Sequence, residues 1–206
     1  MKTLSLAYTR SQFKVFVFTA GGYSTFLSGR TSTYRYVDIY CVILKKNRSS
    51  SYSPTGLEAL ACMDFSRSSN FWYINPSVYD DVYRSCEWVV NYHYLAKLTP
   101  ILRKDIHIYE MSLYENNANA NIIDVMNKIM NDFDMPLCSV ALAVNSSCLH
   151  IQGEPSTNVR ENVWSNASPQ RKNKIIDRKN MYRRRLEKLT PRRLLNLCMD
   201  VLAIAY

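Results

Sequence analysis

The sequence predicts a mixed α/β domain followed by a basic helical tail. Three observations carry this. Short runs of β-branched and aromatic residues alternate with stretches of helical periodicity between residues 13 and 133. Hydrophobic residues make up 47% of the 206 positions and charged residues 21%, which is enough apolar surface for a core. The net charge of +9 sits at the C-terminal end: Arg171 to Arg193 holds eleven lysines and arginines against Asp177 and Glu187. With Asp200 the segment 171–206 carries +8, which leaves +1 for residues 1–170. The reading is a neutral domain over 1–151, a linker over 152–170 and a basic helical tail over 171–206.

The first strand is Phe13 to Thr19. Val15, Val17 and Thr19 share one face, and Phe16 and Phe18 the other, so both faces suit burial. Gly21 and Gly22 then allow a sharp turn or a close backbone approach. Tyr23 to Gly29 and Tyr34 to Leu44 read as two further strands, and Lys45 to Pro54 as a polar, serine-rich loop. Thr55 is a plausible N-cap for a helix to Phe65, with Leu57, Leu60, Ala61 and Phe65 on one face. Phe71 to Ile74 is a short apolar strand. A helix is expected from Pro76 or Ser77 to about Leu95, with Val78, Val82, Cys86, Val89 and Val90 inward. Ile106 to Leu113 alternates as a strand, and Ile122 to Phe133 reads as an amphipathic helix. Leu137 to Val144 and Cys148 to Ile151 form a hairpin at the sheet edge, turned by Asn145-Ser146-Ser147. Arg171 to Ala205 gives one or two basic helices, interrupted near Thr190-Pro191.

Several classes of function find no pattern here. P-loops, GxGxxG stretches and catalytic triads are absent. No apolar run approaches the roughly 18–20 residues of a membrane span, and the start of the chain is too weak for a secretory signal. Six cysteines without CxxC spacing read as buried free thiols in a reducing, intracellular setting, cytoplasmic or nuclear. Without a signal, the sequons at Asn47, Asn145 and Asn166 read as chance. His93, His107 and His150 lack metal-ligand spacing and read as structural.

The order of elements and several short motifs over residues 12–131 resemble the ribonuclease H-like superfamily. Thr19-Ala20-Gly21-Gly22 stands where that family has Thr-Asp-Gly-Ser, and Leu57-Glu58-Ala59-Leu60-Ala61 is similar to its acidic first-helix motif. Asn75-Pro76-Ser77-Val78-Tyr79 stands for Thr-Asp-Ser-x-Tyr. Trp88 and an acid opening the last helix, Asp124, also correspond. The resemblance implies a mixed-sheet fold and a site for two-metal phosphodiester hydrolysis. Two divalent ions about 4 Å apart need bridging carboxylates, and hard cations need oxygen ligands. Ala20 and Pro76 supply no side-chain oxygen. Glu58 and Asp124 remain as remnant acids, and each also suits a helix N-terminus. Asp80 and Asp81 are the acids nearest a lost ligand position, about a helical turn further on. The expectation is a ribonuclease H-like pseudoenzyme with no metal or other cofactor. Mg²⁺ enters only under the alternative of a residual ribonuclease using Glu58, Asp124 and a rebuilt third ligand.

The tail supports a nucleic-acid, and first of all an RNA, partner. Arg171, Lys172, Lys174, Arg178, Lys179, Arg183, Arg184 and Arg185, with Tyr182 among them, suit counterion release from a phosphate backbone. The fold surface would then cradle a duplex. The alternative for a charge run is a solvated helix face that maintains solubility. A second resemblance lies further on. Pro191 to Leu202 looks like the elongin-binding helix of suppressor-of-cytokine-signalling boxes, with Leu194, Leu197 and Cys198 on one face. It implies a protein partner, a ubiquitin ligase recruited through the last helix. A compact, basic chain of this kind suits a viral accessory protein or host-defence antagonist.

Overall fold

The computed structural model describes residues 15–45, 71–74, 88–97, 105–114, 120–143 and 149–187, and of Phe71–Ile74 and Trp88–Lys97 the backbone only. The chain is mixed α/β. Its strands are β1 (Val15–Ala20), β2 (Tyr36–Lys45), β3 (Phe71–Ile74), β4 (Trp88–Lys97), β5 (Asp105–Tyr114), β6 (Val140–Ala143) and β7 (Leu149–Ile151). Helices are α1 (Gly22–Leu27), α2 (Ile122–Asn131), α3 (Glu161–Ser165) and α4 (Pro169–Glu187), with a 3₁₀ turn at Pro136–Cys138. The seven strands form one sheet in the order β3-β4-β5-β2-β1-β6-β7. Among the described residues only β2 and β5 run parallel; every other neighbouring pair is antiparallel.

β2 and β1 lie deep in this sheet because both of their faces are apolar. Along β2, Val37, Ile39, Cys41 and Ile43 occupy one face and are all buried, and Val42 is buried on the other. The second face packs under α2. Phe18, Ala20, Val42, Met111, Leu113 and Ala141 from the strands meet Val125, Met126, Ile129 and Met130 from the helix. These helical positions follow the i, i+1, i+4, i+5 spacing of a single stripe. Asn121 caps α2. Its side-chain oxygen accepts the N–H groups of Ile123 and Asp124 at 2.9 and 3.0 Å, and Asp124 Oδ2 accepts the Asn121 N–H at 3.2 Å.

Four expectations need correcting. Tyr23 to Gly29 does not form a strand but contains α1. Gly21 adopts φ 81°, ψ −140°, which turns the chain abruptly off β1. Thr25 Oγ1 and the Thr25 N–H both donate to the Gly21 carbonyl, at 2.7 and 2.8 Å, and Thr19 and Ser24 share a hydroxyl bond of 2.7 Å. Hydroxyl side chains thus satisfy this turn locally and outcompete sheet pairing.

Second, the helix expected to reach Leu95 is replaced at its end by β4. Trp88-Val89-Val90-Asn91-Tyr92-His93-Tyr94 is rich in β-branched and aromatic residues, and it pairs with both β3 and β5. Third, the ends of β1 and β3, which the resemblance would bring together, lie apart in the sheet. β3 runs antiparallel to β1, so Ala20 and Ile74 end at opposite ends of the sheet. They are also four strands apart, about 19 Å sideways at about 4.8 Å per strand. Pro76 lies outside the described residues. Ala20 itself is fully buried in the core, and Asp124 is an exposed capping residue. The helix expected over 55–65, and Glu58 with it, lie outside the described residues.

Fourth, residues 152–170 are not a free linker. The Leu137 N–H donates to the Ser156 carbonyl at 2.9 Å and the Arg160 N–H to the Asp134 carbonyl at 2.8 Å. Arg30 reaches the Gly153 carbonyl at 3.0 Å, and Arg160 reaches Ser139 Oγ at 2.9 Å. Val163 and Ala167 are buried against Ile175. The edge hairpin is present as expected, as β6 paired with β7; Asn145-Ser146-Ser147 lies outside the described residues. His150 on β7 bonds Asn127 of α2 at 2.8 Å, and His107 packs on the Tyr36 ring at 4.7 Å; both are structural positions. Cys41 and Cys138 are free thiols. Among the described residues no helix is long and apolar enough to cross a membrane.

Candidate nucleic-acid interface

α4 is a 19-residue helix whose sequence contains eight lysines and arginines against Asp177 and Glu187. It is docked along one stripe. Arg171, Ile175, Arg178 and Tyr182 follow the i, i+4, i+7, i+11 spacing that keeps one face together. Ile175 is fully buried with Val163 and Ala167, and Tyr182 is buried with Met135 and Leu137. Burying an isoleucine side chain stabilises by about 1.5–3 kcal/mol, so this contact holds the helix firmly.

The stripe also carries the two arginines that face the domain. Asp134 is only 5% exposed and receives Arg178 at 2.8 Å and Arg171 at 3.8 Å. Arg171 is itself largely covered, so it anchors the helix. Arg171, one of the residues expected to contact phosphate, lies beside this buried carboxylate, which costs free energy unless a cation pairs with it.

Tyr182 roofs the Gly21-Gly22 turn. A β-carbon added at Gly22 would sit 3.5 Å from its hydroxyl, and one at Gly21 would sit 3.6 Å from Asp38 Oδ2. Asp38 opens the buried part of β2, and burial pushes its carboxyl up to about 7, while the Tyr109 hydroxyl at 3.4 Å and the Arg178 charge oppose the shift. Burial likewise raises the Cys138 thiol to about 11 and the Tyr182 hydroxyl well above its ordinary value. Asp38, Cys138, Tyr36, Tyr182 and Arg178 thus influence one another under the basic helix. Sequence reasoning missed this polar cluster. Its only local signal was the glycine pair, and the remaining members come from distant parts of the chain.

The other basic residues divide into two flanks of the buried stripe. Lys172, Lys179 and Arg183 follow i, i+7, i+11 on one side. There Lys172 lies over the Trp164 ring at 5.2 Å, Lys179 is half-buried and Arg183 is exposed. Lys174 and Arg185 follow i, i+11 on the other side, next to Arg178 of the stripe, with Arg184 further around it. Lys174, Arg178 and Arg184 are exposed, and Arg185 lies over the Tyr182 ring at 5.4 Å. Beside this second flank the Ser32-Thr33 loop and the helix enclose an open cleft of about 490 Å³. Its lining is Ser32, Thr33, Asp177, Asn180, Met181, Arg184 and Arg185. Ser32 Oγ donates to the Arg185 carbonyl at 3.3 Å and ties the loop to the helix.

The eight residues expected to contact phosphate therefore do not form one surface. The flank beside the cleft is the more exposed, and it is continuous along three turns. Leu194, Leu197 and Cys198, the expected protein-binding face, lie outside the described residues. No protein-family model matches this chain, and no curated protein matches its sequence.

Proposed function

We propose that this protein binds nucleic acid through the backbone phosphates, without catalysing a reaction on it, and that RNA is the partner. The observation that supports this is the docking of α4. Its inward face is held by Ile175, Tyr182 and the Asp134 ion pairs, while Lys174 and Arg184 stand in solvent beyond it. A cationic row on a fixed helix loses less side-chain and backbone freedom on binding than a mobile tail does. Each phosphate neutralised releases counterions, so affinity is electrostatic and insensitive to sequence to first order.

The proposal does not draw on the ribonuclease H-like reading. In the sheet, β1 and β3 are separated by three strands. An accessory role in host antagonism, in the cytoplasm or nucleus, is the setting we propose for such a binder.

The test is a titration of labelled single-stranded RNA with the full chain over a range of salt. The slope of log affinity against log salt should be clearly negative, at about −0.7 per phosphate contacted. The double variant Lys174→Glu, Arg184→Glu should weaken binding about a hundredfold or more at low salt and flatten the slope. A slope near zero in the wild type would sink the proposal.

A further inference from the structure

We propose that the cleft between the Ser32-Thr33 loop and α4 holds one nucleotide of the bound strand and selects a base carrying an exocyclic amino group. This rests on the nucleic-acid reading above and adds to it a site that reads chemistry rather than charge.

The lining is arranged along the helix axis. Asp177, Asn180, Met181 and Arg184 follow i, i+3, i+4, i+7, so they share the face that looks into the cleft. Asp177 and Arg184 are about 10 Å apart along the axis, from seven steps of about 1.5 Å. That is the span of a nucleotide from its phosphate to the far edge of its base. The cleft volume of about 490 Å³ is ordinary for a small-molecule site.

The two ends differ in sign, and this fixes the orientation of the ligand. Arg184 and Arg185 place two guanidinium groups at one end, a planar donor array suited to phosphate oxygens. Asp177 at the other end repels phosphate and is exposed, with no ion pair or hydrogen bond among the described residues. A carboxylate can only accept, so it selects a donor. At position 4 of a pyrimidine, cytosine presents an amino donor that a carboxylate accepts, and uracil presents a carbonyl oxygen that it repels. Met181 lies between the ends and offers a polarizable sulfur to a ring. Asn180 carries a donor and an acceptor for the neighbouring edge atom. The Ser32 and Thr33 side chains close the opposite wall.

Oligo-C and oligo-U strands separate this proposal from charge-driven binding, because they differ at the position Asp177 faces. In fluorescence anisotropy with the full chain, oligo-C should bind about tenfold more tightly than oligo-U. Asp177→Ala should bring the ratio to about one while leaving the salt slope unchanged. Asp177→Asn, whose amide keeps one acceptor and adds a donor, should lower the preference for oligo-C to near one. Arg184→Ala should weaken both strands alike and reduce the slope by about one contact. Both substituted side chains stand in solvent, and unchanged thermal unfolding would confirm intact folding. Equal wild-type affinity for the two strands, or a cytosine preference that survives Asp177→Ala, overturns the cleft assignment while salt-dependent binding leaves the helix reading intact. Absence of salt-dependent binding to either strand overturns both.

Discussion

Asp38 shows how one buried group can set the response of the whole domain to pH. Its carboxyl is raised from 3.8 to about 7 by burial. Below about pH 4 the folded and unfolded chains both hold the proton, and the site costs nothing. As pH rises, the unfolded chain releases its proton first, so stability falls progressively up to about pH 7 and stays low above it. Asp38→Asn should abolish this loss. The variant should match the wild type near pH 4 and exceed it by about 2–4 kcal/mol at pH 8, because a tenfold change in proton affinity is worth about 1.4 kcal/mol. Thermal melts at the two pH values measure this; a wild type whose stability is flat from pH 4 to 8 would contradict it. Gly21 is the other decisive residue. Its φ of 81° with ψ of −140° is accessible to glycine and strained for any L side chain. Space is not the obstacle, since an added β-carbon meets its nearest neighbour at 3.6 Å. Gly21→Ala should cost about 1–3 kcal/mol in chemical denaturation.

At the level of elements, the basic helix and the segment leading to it belong to the folded body. Asp134 is the joint. It is covered, it pairs with Arg171 and Arg178, and its carbonyl receives the Arg160 N–H. Asp134→Ala should destabilise by about 1–3 kcal/mol; the effect is moderated because Arg178 is half in water and can be resolvated. Hydrogen exchange should then speed up along α4 before it does along β1 and β2. Uniform acceleration across the chain would show that the helix does not open separately. Deleting the chain from Pro169 onward is consequently a poor test of binding. It would uncover Met135, Leu137 and Val163 as well as remove charge. Such a truncation should aggregate or unfold at lower temperature, which size-exclusion chromatography would detect.

For the molecule as a whole, charge and fold are divided between parts that nevertheless pack as one. The sheet is built from neutral strands, and the excess positive charge lies on a helix fixed across the Gly21-Gly22 turn. The charge distribution bears on association and solubility, not on the choice of fold. Replacing Lys174 and Arg184 together by glutamine should therefore leave the melting temperature within a few degrees. It should weaken RNA binding at low salt by about tenfold, and the loss should shrink as salt rises.

Alternation of β-branched and aromatic residues was enough, from the sequence, to place β1, β2, β3 and β5, because a strand buried on both faces has few other ways to hide them. The stripe of Ile122, Val125, Met126 and Ile129 placed α2, and the concentration of lysine and arginine after Arg171 located the basic helix. These are local properties, spelled out within a few residues of one another. Pairing partners are not local. That β2 lies parallel to β5, that β3 is an edge strand far from β1, and that Trp88–Lys97 extends instead of coiling were decided by contacts between distant segments. So was the division of the lysines and arginines, since only the docked helix determines which of them turn toward Asp134 and which remain in water.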